Sequence, residues 1–391
     1  MVPLAFEQLE YDCRLVKVRQ EMARRDVELL IVNDVANQHY LTGYDGWSFY
    51  TPQMVIVPLD DEPPVWIGRA MDAAGGKLTA WLPQENVVGF PEVYVQQADR
   101  HPMDWIAQWI IDRGWGNARI GIELEAYYYS AKAHLRLRAG LPNASFHDAD
   151  LLVNWVRSVK SSAEIQYLRQ AARLAEASVR AAYEVIAPGV RECDAIAAIQ
   201  SAQVAGNPEW AGDVTALPPT ILGGENASAP HIMWSDRRFG DTETVALELA
   251  GACRHYAAGL ARTMQLGTAD SAVKTTGQAV LEGMDAVLAT VRPGATGEEV
   301  ERAWRDVIGR YGLKKESRIG YSIGVAYPPD WGEHTISLRP GDRSVLEPGN
   351  VLHSILGMWM EGWGIEVSET ILVTEHGCET LTQFPREIFQ K

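Results

Sequence analysis

Residues Ser161-Ser-Ala-Glu164 read as a helix start, in which a serine oxygen and a glutamate carboxylate satisfy each other's terminal backbone amides. Ile165, Leu168, Ala172, Ala175 and Val179 then recur at helical spacing. This signal separates two differently patterned stretches of a 391-residue chain, long enough for two domains. The junction is placed at about 157–161, giving domains over 1–157 and 158–391.

Before the junction, strand and helix signals alternate. Tyr11 to Arg25 is helical in period, and Val27–Val32, Met54–Pro58 and Val65–Gly68 read as short apolar strands. Met103–Gly114 reads as a helix and Ala118–Glu123 as another strand, a pattern that argues an α/β domain. After the junction a faint echo appears. VIAPGVRECD (185–194) and VRPGATGEEV (291–300) each follow an apolar helix, stop at Pro-Gly and start another helix. Such a duplication suits a fold with two related halves.

Charge and cysteine usage remove several function classes. The net charge of −16, from 51 acidic and 35 basic residues, repels phosphates of nucleic acids and anionic lipid. Cys13, Cys193, Cys253 and Cys378 are far apart and form no CxxC pair, so neither a zinc knuckle nor a disulfide framework is expected. A reducing cytoplasm is the simplest setting. The first residues, MVPLAFEQLEYDCRL, are acidic and lack the apolar core of a secretory leader. No run of apolar residues is long enough to span a bilayer.

Three short segments carry the chemistry: NASAPH ending at His231, VALE ending at Glu248, and GLART over 259–263. A histidine after proline is a plausible proton carrier, because imidazole titrates near neutral pH; a solvated loop histidine is the ordinary alternative. A glutamate inside VALELA is costly in a buried strand unless it is paired or used. An ion pair between Glu248 and Arg262 is the structural alternative.

These segments resemble the creatinase/prolidase/methionine-aminopeptidase family along essentially the whole chain. The resemblance implies an α/β (α+β) protein: a creatinase-like N-terminal domain followed by a pita-bread catalytic domain. Metal-dependent members of that family use two aspartates, a histidine and two glutamates. By the same resemblance, the first aspartate place is held by Glu248 and the second by Gly259. The histidine turn reads Gly320-Tyr321-Ser322-Ile323-Gly324, so its ligand has become Tyr321. The first glutamate stretch, Ser354 to Trp359, has no carboxylate, and Ser368 takes the register of the last glutamate. Divalent cations need several converging oxygen or nitrogen ligands, so no metal and no other cofactor is expected. A one-residue slip would bring Glu369 into a ligand place and still leave only two carboxylates.

Within the family, the stretches LTGYDGWSFY (41–50), AYYYSAKA (126–133), NASAPH (226–231) and GYSIGVAYPPDWGEHT (320–335) are similar to the ectoine hydrolase group. That resemblance implies a small-molecule substrate, ectoine and 5-hydroxyectoine, and N-acetyl-2,4-diaminobutyrate as product. It also implies a homodimer in which the segment Tyr44–Tyr50 reaches the partner's site. Glu248 can pair with the planar amidinium edge, and either attack its carbon or polarise water. His231 would carry the proton. Trp155, Trp331, Trp359, Tyr50 and Tyr321 are candidate aromatic contacts for the cation, each with core packing as its alternative. Arg262 is a candidate for the substrate carboxylate. His334, Glu361 and Glu366 are further candidates for the same cleft. A creatinase-like enzyme acting on another guanidine, a metallopeptidase and a non-catalytic binding module stay open at this point.

Overall fold

The computed structural model describes residues 4–391, which divide into two compact units at Arg157/Ser158. The first unit is built on a six-stranded sheet. Its strands are β1 (Leu29–Val32), β2 (Met54–Pro58), β3 (Val65–Arg69), β4 (Val87–Phe90), β5 (Arg119–Ile122) and β6 (Ser145–Asp148). They lie in the order β4-β3-β2-β1-β5-β6, with β2 antiparallel to both neighbours and the other pairs parallel. β1 and β2 are buried along their whole length, which explains why they read as unbroken apolar runs. The first helix spans Gln8–Arg24, a few residues earlier than the periodicity suggests. The helix Pro102–Asp112 has proline in its first turn and a His101–Asp104 capping box.

The second unit carries strands β7 (Thr220–Gly223), β8 (Glu243–Cys253), β9 (Tyr256–Leu266), β10 (Gly320–Tyr327), β11 (Asp330–Ser337), β12 (Val351–Met360), β13 (Trp363–Thr374), β14 (Gly377–Thr380) and β15 (Ile388–Gln390). The sheet path is β14-β13-β12-β10-β9-β8-β7, with β11 on β10 and β15 on β9. Helix Ser162–Val185 opens with the expected capping box, Glu164 N donating to Ser161 Oγ at 3.2 Å and Ser161 N to Glu164 Oε2 at 2.8 Å. It packs on β8 and β9, while helix Ser271–Thr290 packs on β12 and β13. Each helix ends at a Pro-Gly turn with the glycine at φ 83°, and a second helix follows, Glu192–Ala205 or Gly297–Arg310. The sequence echo is therefore two similar helix pairs backing two halves of one sheet. At Gly251 a Cβ would stand 2.1 Å from Ala171 O, so only glycine lets the first long helix seat on β8.

Strand parity decides what faces the helices and what faces away. On β8, Val245, Leu247 and Leu249 join the helix-side core, and on β9 Leu260, Met264 and Leu266 do the same. On β12 the helix side takes Leu352, Leu356 and Met358, and on β13 it takes Ile365, Val367, Ile371 and Val373. The opposite face therefore receives Ala246 and Glu248, Gly259 and Ala261, His353, Ile355, Gly357 and Trp359, and Glu366 and Ser368. That face holds the site.

Candidate active site

A cavity of about 690 Å³ opens on this second face of the sheet. Its walls include Thr220, His231, Glu248, Lys315, Arg318, Tyr321, Asp330, Trp359 and Glu366. Three carboxylates thus share one cavity. Glu248 lies opposite Thr220 on one side and Ala261 on the other, and is the single half-buried position in an otherwise buried stretch of β8. Burial pushes its carboxyl up to about 7, and the charge of Asp330 adds to that rise. Glu366 stands opposite Gly357 on β12 and is buried. Burial first, and Glu248 second, raise its carboxyl well above the usual range, against the pull of Lys315. Like charges this close cannot both ionise cheaply, so the pair retains a proton near neutrality.

Asp330 behaves differently. Burial would raise it, but His334 Nε2 at 2.9 Å and the amides of Gly332 and Trp331 outweigh that and hold it below the usual carboxylate range. Asp330 is therefore a fixed negative charge facing Glu248. His231 sits on the loop after the 3₁₀ turn Gly224–Ser228, exposed to the cavity, with φ at 70°. A non-glycine residue in the left-handed region is strained by roughly 1 kcal/mol or more, and such strain gathers at functional positions.

The aromatic residues fall into distinct places. Trp359 lines the cavity and packs on Leu222, Ala227 and Ala246. Tyr321 lines it too, and its hydroxyl accepts a hydrogen bond from Trp331 Nε1 at 2.6 Å. Trp331 is buried behind Tyr321 and so supports the wall rather than forming it. Tyr50 and Trp155 belong to the first unit and are exposed there, Tyr50 hydrogen-bonded to Arg69.

Two expectations need correction. Arg262 is fully buried on the helix side of β9, and all five of its N–H donors are taken. They reach Pro385 O, Ala261 O, Ser368 O, Phe384 O and Glu369 Oε1, at 2.7–2.9 Å. Nothing remains for a substrate carboxylate, and its ion pair is with Glu369, not Glu248. Glu361 is exposed in the turn joining β12 and β13, with Gly362 at φ 80°, and does not line the cavity. His334 is likewise exposed, does not line the cavity, and is hydrogen-bonded to the cavity residue Asp330.

Three charged residues of the cavity wall, and a histidine packed on Tyr321, stand outside the sequence expectations. Lys315 and Arg318 come from the charged run Lys314-Lys315-Glu316-Ser317-Arg318 that precedes the Gly-Tyr-Ser-Ile-Gly turn. Asp330 hides in the Pro-Pro-Asp-Trp turn. His353, a lone histidine in an apolar strand, was the most readable omission. Its ring is buried, burial pushes its imidazole down to about 3, and Nε2 lies 2.8 Å from Ser368 Oγ.

The position of His353 bears on metal binding. A Cβ at Gly259 would stand 2.7 Å from the His353 ring, so the imidazole occupies the space that a side chain at 259 would need. Ser368 is tied to that ring and accepts from Ala261 N at 2.6 Å. Among the described residues no three histidine, cysteine, aspartate or glutamate side chains gather closely enough to hold an ion. The donors present do not fit the two-ion centre of the metal-dependent family members.

Comparison with known proteins agrees with this architecture. The model of metallopeptidase family M24 matches residues 166–375, and that of the creatinase/prolidase N-terminal domain matches residues 14–159. The chain is 43% identical to the ectoine hydrolase of Halomonas elongata, covering 100% of this chain and 99% of that one. It is also 43% identical to an uncharacterized hydrolase/peptidase, y4tM, of Sinorhizobium fredii, covering 99% of each. Among solved structures, a prolidase from Thermococcus sibiricus superposes with a TM-score of 0.84 at 19% identity, covering 98% of this chain and 100% of that one.

Proposed function

Because the chain belongs to the M24 family and carries its creatinase/prolidase N-terminal domain, we propose that it hydrolyses the cyclic amidine of ectoine, and of 5-hydroxyectoine, without a metal ion. The observation that carries this reading is the Glu248–Glu366 carboxylate pair lining one cavity with His231, next to a strand where the His353 ring fills the space a side chain at 259 would need. The similarity to an ectoine hydrolase along the whole chain supports the substrate.

The chemistry follows from charge. Ectoine presents a delocalised amidinium, and a cation entering between Glu248 and Glu366 favours their ionised forms and displaces the proton they hold. Trp359 offers an aromatic wall for the same cation. Glu248 delivers an oxygen nucleophile to the amidine carbon, its own oxygen or that of a water it deprotonates. The tetrahedral carbon then expels one ring nitrogen, and His231 gives that nitrogen the proton it needs; where Glu248's own oxygen attacked, water then cleaves the acyl bond to Glu248 and frees the carboxylate. The net change is one water added across a C–N bond, yielding N-acetyl-2,4-diaminobutyrate. Proton transfer by a placed imidazole contributes about 10²–10⁴-fold. The protein is taken to work as a homodimer in the cytoplasm.

The test is turnover of ectoine by purified protein dialysed against EDTA, followed by mass spectrometry of the acetylated diamino acid. Undiminished turnover is expected. Activity lost with EDTA and restored by Mn²⁺ rejects the metal-free route, and turnover of creatine in place of ectoine rejects the substrate.

A further inference from the structure

The cavity is rich in carboxylates, yet the substrate proposed for it carries a carboxylate of its own. Glu248, Glu366 and Asp330 all line the walls and would repel that group. A cation must receive it, and Arg262 is excluded by its buried, saturated guanidinium. Two basic side chains line the cavity beside the exposed His231. Lys315 is engaged: its Nζ donates to Gly357 O at 2.6 Å, and Gly357 lies directly opposite Glu366 on the paired strand. Arg318 is exposed and forms no ion pair among the described residues. Its guanidinium carbon lies 4.3 Å over the ring of Tyr321, a second residue of the cavity wall. Tyr321 is fixed in turn by Trp331.

We propose that Arg318 is the carboxylate anchor of the site, a cation stacked on Tyr321 that holds the substrate's carboxylate while the amidinium points at Glu248. The proposal rests on the reading of the site as a cyclic-amidine hydrolase. It adds a consequence that reading does not contain. The carboxylate of ectoine is attached beside one of the two amidine nitrogens, so anchoring it fixes which nitrogen lies nearer the proton donor. Arg318 therefore sets which C–N bond breaks, and hence whether the acetyl group stays on the α- or the γ-nitrogen of the diamino acid. A guanidinium suits this task better than an ammonium, because its planar fork takes a carboxylate at two points and fixes orientation as well as position.

The experiment compares the wild-type chain with Arg318→Ala and Arg318→Lys. The expected result is a KM for ectoine raised roughly 10- to 100-fold in Arg318→Ala, the loss of a charge-assisted hydrogen-bonded pair, with partial recovery in Arg318→Lys. The ratio of α- to γ-acetylated product, read by NMR, should become less selective in Arg318→Ala. The probe for specificity is 2-methyl-1,4,5,6-tetrahydropyrimidine, the same ring without the carboxylate, used as a competitive inhibitor. Its inhibition constant should be the same for Arg318→Ala and wild type. A KM and product ratio unchanged in Arg318→Ala overturn the anchor while leaving the hydrolase reading intact. Equal weakening of the carboxylate-free ring also overturns it, because the arginine would then act on the shape of the wall. A wild-type enzyme that does not open ectoine overturns the hydrolase reading, and the anchor falls with it.

Discussion

Glu366 and Glu369 lie three residues apart on β13, and both are buried, yet they do opposite work. Glu369 faces the helix side, where Arg262 donates at 2.8 Å and Thr382 donates to its other oxygen. Glu366 faces the cavity, where the charge that acts on it most strongly is another carboxylate, Glu248. Burial raises both acids, but Arg262 and Thr382 pull Glu369 back, whereas Glu248 drives Glu366 further up. An acid matched by a cation and hydrogen bonds is part of the framework. An acid placed against a like charge is held in readiness for a cation that arrives from outside. An odd spacing along one strand is enough to separate the two roles, because alternate side chains leave a strand on opposite faces.

The comparison breaks most visibly at Glu248. Glu248→Gln should lower kcat on ectoine by at least about 10³-fold, since it removes the oxygen donor at nearly constant shape. The same change should stabilise the fold at alkaline pH. In the folded chain the Glu248 carboxyl keeps its proton up to about 7, against an ordinary value of 4.5. A raised folded pKa gives stability that is complete below about pH 4.5 and is lost as pH rises through 7. Glutamine escapes that loss, so the variant should gain on the order of 1–2 kcal/mol at pH 8 and nothing at pH 4, measured by urea unfolding. A variant that is inactive and also destabilised at pH 8 would mean that Glu248 belongs to the framework.

Arg262→Ala should behave in the reverse way. It leaves Glu369 buried without its cation, and breaking a buried pair from one side typically costs about 3–5 kcal/mol. Urea midpoints should fall accordingly, while kcat per folded molecule stays near the wild-type value, because no donor of Arg262 faces the cavity. A large loss of kcat at full folding would place Arg262 in the chemistry after all.

Parity also explains what could be read from the sequence. The apolar periods, the capping box and the two Pro-Gly stops are local signals, and the helices and strands stand close to where those signals put them. Glu248 and His231 were legible because a charge in an apolar strand and a Pro-His pair are conspicuous, and both line the same cavity. Arg262 misled because a buried arginine beside a glutamate motif looks the same on paper whether it points in or out. Along β9, Leu260, Met264 and Leu266 take the helix side, so Arg262 shares it and Gly259 and Ala261 fall on the cavity face. Arg318 and Asp330 were out of reach for another reason: one lies in the charged run before β10 and the other at the start of β11, and only the fold brings both to the wall of the cavity that holds Glu248.

Asp330 gives the finest test of the division between framework and poised acids, because it combines both. It is hydrogen-bonded like a framework carboxylate, by His334 and two backbone amides, and it faces the cavity like a working one. Its fixed charge is one of the two causes that raise Glu248, burial being the larger. Asp330→Asn keeps the size of the side chain and an oxygen acceptor for the amides, but removes the charge. The acidic limb of kcat/KM for ectoine reports the ionisation of the base in the free enzyme, so in the wild type it should fall near pH 7. In Asp330→Asn it should move to lower pH, with the plateau rate at alkaline pH changed far less than by Glu248→Gln. An acidic limb that stays in place would mean that burial alone tunes Glu248; a limb that moves upward would mean that Asp330 holds His334 or the β10–β11 turn in position rather than acting through its charge.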